Sequence, residues 1–192
     1  MRRIILYLLA ASSLGAGQST HHSSRDSSRS LEDVARIATA MIDGDVCTHI
    51  QTKRSIEYML KKDPRDPWIA SDNYDVNAGP FIQTKKTLMR LAQLCPKACD
   101  VNLWMRVASR PDRIQIVIRN VHEMSQFWKW GDMDQEMPPE MKRVLDTAER
   151  VTVRQKPGMT SVLAPVYDSL RDVVALVEVV SENSPDPREN VK

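Results

Sequence analysis

Residues 161–180 read Ser-Val-Leu-Ala-Pro-Val-Tyr-Asp-Ser-Leu-Arg-Asp-Val-Val-Ala-Leu-Val-Glu-Val-Val, and this stretch decides the fold class. Residues 162–167 are strand-like, 168–172 are polar, and 173–180 are apolar at nearly every position except Glu178. A run that is apolar at successive positions suits a strand buried on both faces. The chain therefore closes with an antiparallel hairpin whose last strand lies inside a sheet, and Asp168 reads as the residue that caps its turn.

Working back from there, Val101, Leu103, Met105 and Val107 alternate with Asn102, Trp104 and Arg106, the period-two pattern of a half-buried strand. Ile114, Ile116 and Ile118 alternate with Gln115, Val117 and Arg119 in a second run, and Arg110-Pro111-Asp112 between the two reads as a turn. Residues 150–154 supply one more strand, so the sheet is expected to have five. A looser segment carries Phe127, Trp128 and Trp130, after which Pro138 and Pro139 open a short helix through Met141, Val144 and Leu145.

Upstream the period changes. Leu31, Val34, Ala35, Ile37, Ala38, Met41 and Ile42 recur at helical spacing behind Ser30 as N-cap, and Val46, Ile50, Ile56, Met59 and Leu60 continue the pattern. Gly44 costs about 1 kcal/mol in a helix interior, so this is one long helix bent there or two abutting ones. Asp63-Pro64-Arg65-Asp66-Pro67 stops it, residues 68–80 are loop-like, and a second amphipathic helix covers about 81–94. The order describes an α+β fold: an antiparallel five-stranded sheet with long N-terminal helices packed on one face.

Arg2 and Arg3 precede the apolar run from Ile4 to Ala11 and then a small-residue stretch to Gly17. That is the three-part layout of a signal peptide over residues 1–17, and the run is well short of the roughly 20 residues a spanning helix needs. A periplasmic or extracellular location follows. Residues 18–30 are expected as a disordered linker, 31–182 as one domain, and 183–192 as a disordered tail. The chain has 27 basic and 25 acidic residues; loss of Arg2 and Arg3 leaves the two signs equal. With no basic cluster interleaved with aromatics, nucleic acid is excluded as a partner.

Of three cysteines, Cys95 and Cys99 flank Pro96-Lys97-Ala98 at a spacing that closes a small disulfide loop, and Cys47 is then the odd thiol unless it reaches one of the pair across the fold. No metal or cofactor site is read from them. Enzyme readings fail on spacing: His122-Glu123 has no second His at helical distance, and Ser161 lacks a nucleophile elbow. Asp132, Asp134 and Glu136 alternate like the start of a calcium loop, but the Gly and Glu such a loop requires are missing.

Ala164-Pro165-Val166-Tyr167-Asp168-Ser169 followed by Val173-Val174-Ala175-Leu176-Val177 resembles the closing hairpin of extracytoplasmic Cache domains, the PAS-like sensor modules of bacterial receptors. Trp128 and Gly131 ahead of the short helix add to the likeness, which spans about residues 31–182. Ala148 and Ala175 stand where many members of that family carry glycine, and the turn at 170–172 lacks its usual one. The resemblance implies a PAS/Cache-like sheet, ligand capture in a hollow on the face away from the long helices, and a sensory role; members of that family usually feed a kinase or chemotaxis output, and here, with little sequence after the sheet, the domain is expected to act without a signalling output of its own.

Strand parity supplies candidate contacts independently. Trp104 and Arg106 share the face opposite Leu103, Arg119 lies opposite the isoleucines, and Tyr167 projects opposite Val162, Ala164 and Val166; Trp128 and Trp130 join them from the connecting segment. Guanidinium forks suit carboxylates and aromatic rings give rigid walls, so the expected ligand is a small organic anion or an amino acid. The alternative partner is a membrane receptor or a second copy of the chain, with the domain acting as a structural or interaction protein.

Overall fold

The structure is a computed structural model that describes residues 20–60, 76–129 and 134–182. Its centre is a curled antiparallel sheet of six strands, β1 (Cys99–Val107), β2 (Arg110–Ile118), β3 (Asp134–Glu136), β4 (Val151–Val153), β5 (Met159–Tyr167) and β6 (Val173–Glu182), in the order β3-β2-β1-β6-β5-β4. As the apolar run at 173–180 requires, β6 is central: it pairs with β1 from Cys99↔Ser181 to Trp104↔Leu176 and with β5 from Met159↔Glu182 to Tyr167↔Val173.

The expected architecture is corrected at several points, one being the turn expected at Arg110-Pro111-Asp112: these residues open β2, and the hairpin turns at residues 108–109. There are six strands and not five, because Asp134–Glu136 pairs with β2 as a three-residue edge. The N-terminal helices are not long units either: the run expected as one or two helices is split into α1 (Thr20–Met41), α2 (Gly44–Thr48) and α3 (Lys53–Met59), followed by α4 (Ala78–Ala92) and later α5 (Pro139–Thr147). The stretch expected as a linker at 18–30 is helical from Thr20, so Ser30 lies within α1 and caps nothing. The expected signal peptide, the tail, the proline-rich helix stop and Trp130 lie outside the described residues.

The break after α1 has a local cause. Asp43 is extended and its carboxylate accepts the Val46 N–H at 3.2 Å, capping α2. Gly44 sits so close under the end of β5 that a Cβ there would come 2.2 Å from the Tyr167 carbonyl oxygen. Glycine is thus needed for close approach of two backbones. Asp45 then accepts from Ser169 N at 3.1 Å and Ser169 Oγ at 3.2 Å, tying α2 to the β5–β6 turn. Asp168 caps that turn as expected, accepting from Leu170 N and Asp172 N at 2.9 and 2.8 Å.

Two cores lie on opposite faces of the sheet. On one, Leu31, Val34, Ala35, Ala38 and Ile42 of α1 and Leu88 and Leu91 of α4 pack on Val101, Leu103, Val162, Ala164, Val177 and Val179. On the other, Met141, Val144 and Leu145 of α5 join Phe127 over Trp104, Ile114, Ile116, Leu163 and Leu176. Each fully buried side chain of this size stabilises by about 1.5–3 kcal/mol. Ile118 departs from the expected parity. The register slips between Leu103↔Ile118 and Trp104↔Ile116, a bulge that adds one residue to β2 and turns Ile118 onto the α1 side. Cys95 and Cys99 form a disulfide between the end of α4 and the start of β1. Cys47 is a buried free thiol, pushed up to about 12 by burial.

Candidate functional site

The face away from α1 and α4 is where the sequence points to a ligand hollow, and residues 119–128 lie across it as a strap. Three acceptor side chains hold this strap to the sheet. They stand together because strand alternation puts Asp100, Asn102 and Trp104 on one face of β1 and because Asn102 pairs in register with Glu178 of β6. Asn102 Oδ1 accepts from Asn120 N at 3.0 Å and its Nδ2 donates to the Met124 carbonyl at 2.7 Å. Asp100, fully buried, accepts from His122 N at 3.2 Å and Met124 N at 2.9 Å, and His122 Nδ1 lies 2.9 Å from its Oδ1.

Glu178 is also fully buried and is the hub of the face. Its Oε2 accepts from Trp104 Nε1 at 3.1 Å and Ser125 Oγ at 2.6 Å; its Oε1 accepts from Gln126 N at 2.7 Å and Ser161 Oγ at 2.9 Å. Burial pushes its carboxyl above the usual range, and the four donors pull it back. Lys156 secures the strap from its far side, donating from Nζ to the Ser125 and Trp128 carbonyls at 2.5 and 3.3 Å, while its backbone N–H reaches Gln126 Oε1 at 2.7 Å. The strap therefore has fixed geometry, with its hydrogen bonds directed inward.

The candidate contacts divide accordingly. Trp104 is 1% exposed, meets Phe127 edge-on at 6.4 Å and gives its N–H to Glu178, so the space beside it is filled by the protein's own side chains. Arg106 is remote from this point and pairs with Asp146 of α5. Tyr167 is half-buried at the far end of β5, above Gly44. No contact joins these three among those described.

Arg119 and Trp128 do come together. The strap leaves β2 at Arg119 and returns at Trp128, and the guanidinium carbon lies 4.2 Å from the ring centroid, a cation–π contact that closes the loop on itself. Arg119 Nη1 also reaches Glu123 Oε1 at 3.3 Å. Lys85 of α4 donates to the Arg119 carbonyl; burial holds its ammonium below its usual range, opposed by the charges of Asp100 and Glu123. His122, with 54% of its side chain exposed, is held on Asp100, whose charge also acts on Lys85. This corner of α4, β1 and the strap is the one place where candidate ligand groups converge among the described residues.

The anchors themselves, Asp100, Asn102, Ser125 and Ser161, were not legible as site residues. A signal existed at Glu178, the sole charge within an apolar run, and at Asp100 and Asn102, polar positions sharing Trp104's face. No group of three or more His, Cys, Asp or Glu residues is placed to hold a metal, and no helix is long and apolar enough to cross a membrane, among the described residues. No known family model matches the chain, and no curated protein matches it.

Proposed function

We propose that this chain is an exported, non-catalytic binding domain that takes a small organic anion or an amino acid at the outer corner of the strap, with Arg119 on Trp128 as the principal contact. The carrying observation is their convergence: a guanidinium stacked on an indole at 4.2 Å, with Lys85 on the Arg119 carbonyl, on a segment that the buried anchors hold rigid. A guanidinium so held keeps its donor fork in one plane and loses little entropy on meeting a carboxylate. The sensory part of the reading rests on the likeness of residues 164–177 to Cache modules, and the periplasmic or extracellular location on residues 1–17.

A thermal-shift screen of the whole chain with carboxylates and amino acids tests this. A ligand at about 100 times its Kd adds about 2.7 kcal/mol. Arg119→Ala and Trp128→Ala should abolish the response, while Arg106→Ala retains it. A response that survives both strap variants, or none across the library, refutes the assignment. Docking on a membrane receptor or on a second copy is the other reading, favoured by the exposure of Met41, Val121 and Leu170 at 62%, 67% and 79%; it gains if the screen is silent and the chain self-associates.

A further inference from the structure

The outward face of α4 carries charge that the fold does not compensate. Thr84, Leu88 and Leu91 turn inward onto the sheet, and Lys85 donates to the Arg119 carbonyl. Ile82, Lys86, Met89 and Arg90 are left exposed, three and four residues apart, which makes them neighbours along one stripe. A last turn extends the stripe to Leu94, whose N–H donates to the Leu91 carbonyl at 3.0 Å. Ile82, Met89 and Leu94 are 50%, 41% and 53% exposed. Between Val76 and Cys99 the chain has four cations, Lys85, Lys86, Arg90 and Lys97, and no Asp or Glu. On α1 and α5 outward cations are matched, Arg36 by Asp33, Lys142 by Asp146 and Arg143 by Glu149. Lys86 and Arg90 have no ion-pair partner among the described residues, and they stand one turn apart, where like charges weaken a helix.

We infer that this face lays α4 flat on an anionic lipid surface, with Lys86 and Arg90 at the phosphates and Ile82, Met89 and Leu94 entering the acyl boundary. Charge selects the occupant. A second copy meeting this patch across a twofold axis would set the same cations against each other, whereas an anionic bilayer relieves the repulsion between Lys86 and Arg90. Long Lys and Arg stems lie along apolar neighbours while their heads reach outward. An interfacial helix binds through its apolar area together with attraction to anionic lipid. The Cys95–Cys99 disulfide ties the end of α4 to β1, so the stripe is presented on a fixed element. The inference is independent of the anion site, since it uses neither Arg119 nor Trp128.

The test is co-sedimentation of the full chain with phosphatidylcholine vesicles, with and without about 30% phosphatidylglycerol. The chain should bind the anionic vesicles and leave them in about 1 M salt, where screening acts within about 3 Å. Lys86→Gln and Arg90→Gln should each weaken binding about fivefold, while Arg143→Gln, an equal change of charge on α5, should leave it as it was. No binding to anionic vesicles, or binding to them alone that both variants leave unchanged, overturns the inference. Self-association that Met89→Asp abolishes would then give the face to a second copy. If the apolar run at residues 4–11 holds the chain on both kinds of vesicle, NMR in bicelles carrying a spin-labelled lipid decides. Anionic bicelles should broaden the amide signals of residues 82–94, and the Lys86→Gln, Arg90→Gln double variant should sharpen them again; signals that stay sharp in the parent refute the assignment.

Discussion

Replacing Glu178 by leucine removes a carboxylate that joins β1, β5 and the strap. Four donors end on its two oxygens, at 2.6 to 3.1 Å. The Ser125 and Ser161 hydroxyls can turn to other acceptors, but the Trp104 indole N–H and the Gln126 amide N–H cannot, and each orphaned buried donor costs about 1–3 kcal/mol. Leucine recovers part of this, since no charge is left to desolvate. The balance is a loss of about 3 kcal/mol, about 6–12 °C in Tm for a chain of this size. Glu178→Gln keeps the shape and one acceptor oxygen, so one N–H is orphaned and the loss is about 1 kcal/mol.

The pH dependence has a definite sign. Burial raises the folded-state pKa of Glu178 above its unfolded value, so the native chain holds the proton more tightly. Its stabilising share is full below the unfolded value, near about pH 4.3, and is lost as pH rises through the folded one. Glu178→Gln should flatten that slope. Urea unfolding of the three proteins across this range, with amide exchange read on residues 119–128, is the assay. A leucine variant as stable as the parent, with strap exchange unchanged, would refute the reasoning, because the strap would then not depend on this carboxylate.

Two further predictions concern the backbone. Gly44→Ala should cost about 2–3 kcal/mol by chemical denaturation, since its Cβ would overlap the Tyr167 carbonyl at 2.2 Å and one backbone must move; a loss under 0.5 kcal/mol would show that α2 is free to shift. Ala148 ends α5 with φ 59, where glycine carries no Cβ penalty, so Ala148→Gly should stabilise by about 0.5–1 kcal/mol in the same measurement. An unchanged or lower stability would place the strain elsewhere.

Ala148 shows how much was legible in the chain and where legibility stopped. Five of the six strands, the short helix after Pro138-Pro139 and the turn at Asp168 follow from local periodicity and turn chemistry, which act over a few residues. The Cys95–Cys99 pairing is equally local. The edge strand at Asp134–Glu136 was missed because three polar residues carry no alternation of hydrophobicity, and β2's upper parity failed because a bulge leaves no trace in composition. Gly44 marked the helix break, but the steric reason, a β5 carbonyl more than a hundred positions away, belongs to the assembled fold.

The candidate site divides along the same line. Residue types and strand parity determined by themselves which side chains face away from α1 and α4, Trp104 and Arg106 among them. Whether that face is hollow or filled depends on where residues 119–128 return, and the hydrogen bonds that Asp100 and Glu178 accept from the strap and that Asn102 donates to it, across some 20 to 50 positions, decide it. Hydrophobic pattern repeats with the period of the local backbone and can be read along the chain. A buried acceptor, by contrast, takes whatever donor the tertiary packing brings within about 3 Å, and only the folded molecule selects that partner.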